Sequence, residues 1–133
     1  MAIEIRKARI VKKVWGHEEI LVREDEDAYC GKLLHLNKRY RCSIHKHPKA
    51  ETFYILYGHV YIEVSEAPDK MNGEYLNEGD IIDIPENFRH RFSGLEKSVI
   101  IETSTHDCES ERFTQSEKIP EEEWKEMVLR GEI

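Results

Sequence analysis

No apolar run in the chain approaches the ~20 residues needed to cross a bilayer, and the opening Met-Ala-Ile-Glu-Ile-Arg-Lys lacks the apolar core of a secretory signal. A cytoplasmic location is expected. Basic residues are in the minority: 20 Lys and Arg against 27 Asp and Glu leave a formal charge of −7. That balance argues against a nucleic acid or an anionic membrane surface as partner. Cysteine is scarce: Cys30, Cys42 and Cys108 are odd in number and form no C-x-x-C. Neither a disulfide framework nor a zinc knuckle is encoded, and reduced thiols are expected. Helical periodicity is missing before Pro120. Length (133 residues) and 39% hydrophobic content suit one domain, residues 1–133, with a modest core.

Short β-type runs fill the chain instead. Residues 3–14 carry Ile3, Ile5, Ile10, Val11 and Val14 among basic residues and read as edge strands. Trp15-Gly16-His17-Glu18 leads into a run over Glu19–Arg23, closed by the acidic turn Glu24–Asp27, which reads as a solvated loop. Gly31–Leu36, a turn near Asn37-Lys38, and Tyr40–Lys46 read as a hairpin. Phe53–Tyr57 ends at Gly58, after which Val60, Ile62 and Val64 alternate with His59, Tyr61 and Glu63. Ala67-Pro68-Asp69 and Met71–Glu74 are loop signals, and Arg89–Phe92 and Ser98–Glu102 complete the β-series. Many short strands indicate a closed all-β architecture. In the tail, Pro120 suits a first helical position, Glu121–Glu123 suit the positive end of a helix dipole, and Trp124, Met127 and Val128 share one face. A short C-terminal helix should pack on the barrel or on a second subunit.

The most informative stretch is His45-Lys46-His47-Pro48-Lys49-Ala50-Glu51. On a strand, side chains two apart share a face, so His45 and His47 can grip one ion while Lys46 points away. Pro48 favours a turn, after which the chain re-enters as a strand carrying Glu51. Gly79–Ile84, a turn at Pro85-Glu86-Asn87, and His90 then supply a third imidazole. Three histidines and one glutamate make a metal site with positions left for water or substrate, suited to Fe, Mn, Ni or Zn as a divalent ion. Cys42 has the opposite strand parity to His45, which makes it a poor fourth ligand.

His45-x-His47, Glu51 and Gly58, followed by Gly79, Pro85 and His90, resemble the two motifs of the cupin superfamily over roughly residues 39–94. The resemblance implies a cupin barrel, a double-stranded β-helix or jelly roll, with its core at about 30–103, N-terminal strands at 1–23 and a tail with a helix at 104–133. Three departures stand out. Arg39 occupies the place where the first motif usually begins with Gly, Asn87 replaces the Gly of a Pro-x-Gly turn, and Gly94 replaces a final Asn. Asn is the non-Gly residue best able to take a left-handed turn, so the second change preserves it.

Lys13-Val14-Trp15-Gly16-His17-Glu18, Lys32–Leu36 and Glu102-Thr103-Ser104-Thr105-His106 are similar to segments of single-domain sugar-isomerase cupins of the mannose-6-phosphate isomerase and D-lyxose isomerase kind. There the first motif often carries Gln where this chain has His45. The resemblance implies aldose–ketose isomerisation of a sugar or sugar phosphate: a divalent ion chelates adjacent carbonyl and hydroxyl oxygens and stabilises the enediolate. A base must carry the proton between neighbouring carbons. Glu102 is the first candidate and His17 the second. Lys32, Arg39, Arg41 and Arg89 are candidates for substrate phosphate or hydroxyls, and Tyr57 and Phe92 share parity with Glu51 and His90 and are expected to wall the pocket. A non-haem iron dioxygenase and a non-catalytic sugar-binding or regulatory cupin are the alternatives. Small cupins commonly pair through an edge strand, and an exposed apolar N-terminal strand makes a homodimer the expected assembly.

Overall fold

Alternation of apolar and polar side chains decides which face of each strand turns inward. The computed structural model describes residues 3–22, 28–67, 70–106 and 109–132. Its first strands are β1 (Arg9–Lys13), β2 (Gly16–Ile20), β3 (Tyr29–Leu36), β4 (Tyr40–Arg41), β5 (His45–Lys46), β6 (Glu51–Tyr57) and β7 (His59–Ser65). There follow β8 (Asn72–Asn77), β9 (Ile81–Ile84), β10 (Arg89–Gly94), β11 (Ser98–Thr105), β12 (Glu111–Arg112) and β13 (Glu117–Lys118), and then helix α1 (Glu121–Gly131). One sheet has the order β1-β2-β3-β11-β6-β9; the other runs β12-β5-β10-β4-β13, with β7 on β10 and β8 on β7. The pairings are antiparallel.

In β6, Glu51, Phe53 and Ile55 are buried while Thr52 and Tyr54 are less so, the two-residue period of a strand with one face on a core. Phe53, Ile55, Leu34 and Ile100 from one sheet meet Val60, Ile62, Leu76 and Phe92 from the other. This is the jelly-roll barrel expected from the motifs. Among the described residues no helix is long and apolar enough to cross a membrane.

The N-terminal strand is shorter than its apolar residues suggest. β1 begins at Arg9, and Ile3 and Ile5 are 92% and 94% exposed. The partner strand β2 matches Arg9–Lys13 one for one and then ends, because Leu21 and Val22 turn their N–H groups to the Gly31 carbonyl. Residues 3–8 belong to no β-ladder among the described residues. β2 also starts earlier than expected, at Gly16. A Cβ on Gly16 (φ +147°) would lie 1.9 Å from the His35 carbonyl oxygen, so the tight turn after Trp15 needs glycine. Arg23 with the acidic turn Glu24–Asp27, Pro68-Asp69 and Cys108 lie outside the described residues.

Among the described residues two non-glycine residues have positive φ, Arg39 (69°) and Asn87 (65°). They occupy the two places where the resemblance expects glycine. Asn87 takes the left-handed conformation as anticipated, and its N–H bonds the His47 carbonyl. Arg39 takes it at a cost of order 1–2 kcal/mol. Opposing bonds offset that cost: the Arg39 side chain donates to the Ile119 carbonyl at 3.1 Å and Ile119 N–H donates to the Arg39 carbonyl at 2.8 Å.

Helix α1 packs on the barrel as its face predicted. Met127 is buried with Leu95 and Ile119, and Trp124 and Val128 pack beside them with Tyr61 and Tyr75. Pro120 stands at the cap, one place earlier than read, with Glu121, Glu122 and Glu123 in the first turn.

Candidate metal centre

Each histidine of the motif arrives from a different local device. His45 lies on β5 directly opposite His90 on β10, so the two imidazoles meet across the ladder with centroids 4.4 Å apart. His47 follows where the strand has ended, and its ring lies 4.9 Å from that of His45. The nitrogens of His45, His47 and His90 all lie within 4.8 Å of one another, a group that could hold a metal ion. Glu51 Oε1 is 3.5 Å from His90 Nε2 and 3.9 Å from His47 Nε2. Donors about 2.1 Å from one shared ion stand about 3.0–4.2 Å apart, so small side-chain adjustments complete a four-donor site.

The tautomers suit that role. His45 Nδ1 lies 2.8 Å from the Ser43 carbonyl and His90 Nδ1 lies 3.2 Å from the Phe88 carbonyl. A carbonyl only accepts, so each Nδ1 carries the proton and each Nε2 presents its lone pair. Burial, reinforced by the neighbouring His45, pushes the His90 pKa down to about 3. Burial also holds His45 below its ordinary value, with the charges of Arg112 and Lys49 adding to the effect. Both rings are therefore neutral, as ligation requires.

This carries a pH signature. The folded pKa of His90 lies below its unfolded value of ~6.5, so acid protonates the unfolded chain first. The stability it contributes is complete above pH ~6.5 and is lost as pH falls toward about 3. The thermal midpoint of metal-free protein should decline across that window, and less steeply in His90→Gln. Melts of both proteins from pH 7 to 3.5 check this; superimposable declines would remove His90 as the source.

The centre opens into a cavity of about 930 Å³, within the range of small-molecule sites. Lys32, Phe92 and Glu102 line it, as do Glu18, Lys49 and Arg112. Glu102 is buried: Lys49 Nζ lies 3.4 Å from its Oε2, Ser104 Oγ donates to that oxygen at 3.3 Å, and Cys30 Sγ stands 3.9 Å away. Glu18 lies 3.5 Å from Lys13 Nζ and 3.7 Å from Lys32 Nζ.

Five of the residues singled out from the sequence stand elsewhere. His17 stacks on His35 on the outer face, centroids 4.2 Å apart; its neighbour Glu18 faces inward, opposite Leu34. Arg41 pairs with Glu117 and Glu123, and Arg39 bonds Ile119. Arg39 and Arg41 lie an even number of residues from His45 and would share its face on one continuous strand, but residues 42–44 are not strand: β4 and β5 are separate, and Ser43 and Ile44 N–H groups bond Ser116 and Thr114 side chains. Cys42 consequently lines the cavity together with His45, although burial raises its thiol to about 11 and its sulfur accepts the Phe92 N–H. Arg89 covers the Phe113 ring at 3.6 Å. Tyr57 is 42% exposed, because a bulge in the β6–β11 ladder after Ile55 reverses its side.

Lys49 and Glu18 were not singled out by sequence reasoning, yet both carried a signal. Glu18 alternates with the apolar Ile20, which marks the inward face, and Lys49 lies two residues from each of the ligand positions His47 and Glu51.

No protein-family model matches the chain. It is 34% identical to the D-lyxose/D-mannose isomerase of Thermosediminibacter oceani over 130 residues, covering 77% of this chain and 72% of that protein. Among solved structures it resembles an oxalate decarboxylase, with TM-score 0.71 and 14% identity, covering 80% of this chain and 30% of that one. It also resembles CapF bound to the inhibitor 3-isopropenyl-tropolone, with TM-score 0.68 and 16% identity over 81% of this chain. The chain spans 34% of CapF, and at these identities the likeness is one of fold.

Proposed function

This chain belongs to the cupins, in the sugar-isomerase family that includes D-lyxose/D-mannose isomerase, and from that premise we propose that it is a metal-dependent aldose–ketose isomerase acting on a sugar or sugar phosphate. One observation carries the reading: a histidine triad with Glu51 and a separate buried Lys49–Glu102 pair line the same cavity. His45, His47, His90 and Glu51 would hold one divalent ion, Zn, Mn, Fe or Ni. When bound, such an ion supplies Lewis-acid polarisation of a carbonyl and its neighbouring hydroxyl.

The chain's own residues would move the proton. Isomerisation removes H⁺ from C2 of the aldose and returns H⁺ to C1 while the hydroxyl proton passes from O2 to O1, so one carboxylate can serve both carbon steps. Glu102 is that base. Lys49 steadies its charge by the 3.4 Å contact, and Ser104 fixes its orientation. Lys32 and Phe92 bound the space beside it. Arg39, Arg41, Arg89, Tyr57 and His17 have no part in this reading, since each is engaged or exposed outside the cavity.

The same proposal takes the chain as one cytoplasmic cupin domain that pairs with a second copy. The β1 edge of the six-stranded sheet, where Ile10 is 55% exposed, supports strand-to-strand pairing. A solution mass near twice 15.8 kDa checks it.

The decisive assay incubates metal-loaded protein without oxygen with D-lyxose, D-mannose, mannose 6-phosphate or fructose 6-phosphate. The expected result is conversion of at least one of them, with deuterium lost to solvent from C2 of an aldose or C1 of the ketose. Turnover that requires oxygen would replace the proposal with a dioxygenase. Binding without conversion of any of them would make it a sugar-binding cupin.

A further inference from the structure

The cavity wall is far more basic than the chain that builds it. Arg9, Lys12, Lys13, Lys32, Lys49 and Arg112 line it against Glu18, Glu51 and Glu102, whereas the whole chain carries a net −7. Each of those acids already has a neighbour. Glu18 lies between Lys13 and Lys32, Glu102 lies against Lys49, and Glu51 lies beside His47 and His90. Arg112 has no carboxylate partner among the described residues.

Its position is set by register. Arg112 stands directly opposite His45 in the β12–β5 pair, so it is carried to the rim of the metal centre. The chain just after it is anchored to the residue before β5: Phe113 N–H bonds the Ile44 carbonyl at 2.8 Å, Ile44 N–H bonds Thr114 Oγ1 at 2.8 Å, and the Arg89 guanidinium covers the Phe113 ring. A guanidinium on a fixed backbone, with no carboxylate paired to it among the described residues, is a ready bidentate partner for an oxyanion. The surplus of cations around it focuses negative ligands into the cavity.

We propose that the substrate is anionic, a sugar bearing a phosphate or a carboxylate, and that Arg112 binds the anionic group. The neutral sugars named for the curated relative would leave that charge unanswered. The inference rests on the isomerase reading only for the chemistry at the sugar carbons; recognition of the anion stands on the cavity alone.

The test uses the metal-loaded full chain with three matched probes, D-mannose, D-mannose 6-phosphate and D-mannuronate. Calorimetry reads binding and isomer analysis reads turnover. One anionic probe should bind about tenfold to a hundredfold more tightly than mannose, and the preference should shrink as salt rises. Whichever anion is preferred identifies the group as phosphate or carboxylate. Arg112→Met should remove most of the preference and Arg112→Lys should keep part of it, with circular dichroism confirming the fold of each. Equal binding of all three probes, or a preference unaltered in Arg112→Met, overturns the proposal. Conversion of mannose with no anion preference leaves the isomerase standing and removes this inference. An Arg112-dependent preference without conversion does the reverse.

Discussion

His47→Ala protein is expected to emerge from purification with its metal gone and its turnover at background. The reason is that His47 joins His45, His90 and Glu51 in the donor group, and no other histidine among the described residues belongs to it. Loss of groups that merely orient a ligand costs 10–100-fold in affinity, so loss of a donor should exceed about 100-fold. His47 lies outside the apolar cluster between the sheets, so its truncation leaves the core packing intact. Elemental analysis after dialysis, with circular dichroism as the fold control, decides the matter. His17→Ala is the companion, since its ring stacks on His35 outside the cavity, and it should retain the ion. Unchanged metal content in His47→Ala would dismantle the site.

The second large effect separates proton transfer from metal binding. Glu102→Gln preserves shape and can still accept from Lys49 and Ser104, but it cannot take a proton from carbon. General-base catalysis contributes about 10²–10⁴, so kcat should fall by that range while metal content stays as in the native chain. Exchange of C2 deuterium with solvent should stop in parallel. Glu18 is the control with a different outcome: it lines the same cavity but pairs with Lys13 and Lys32, so Glu18→Gln should retain exchange. If Glu102→Gln exchanges normally and Glu18→Gln does not, the base is Glu18 and the assignment moves across the cavity.

How far the site could be read in advance follows from the range of the interactions that build it. His45 and His47 are two residues apart and Glu51 follows one turn later, so strand pitch and a proline suffice to bring them to one side. His90 follows Pro85 and Asn87, whose turn is equally local. Parity arguments worked where the strand was continuous, as at Phe92. They failed at Arg39, Arg41 and Tyr57, where an interrupted strand or a bulge resets the alternation and no residue within a few positions announces it.

By itself the sequence determined the antiparallel barrel, the identities of the clustered imidazoles and carboxylate, and the packing face of the C-terminal helix. All three depend on periods of two or 3.6 residues and on turns, which neighbouring side chains dictate. Only the tertiary structure decided which charges stand around the centre. Arg112 reaches it because β12 pairs with β5 from 67 positions away, the difference between 112 and 45. Arg41 leaves it because Glu117 and Glu123 lie on the far side of β4. Such choices are made by strand order and by long-range partners, whose distances along the chain carry no local mark.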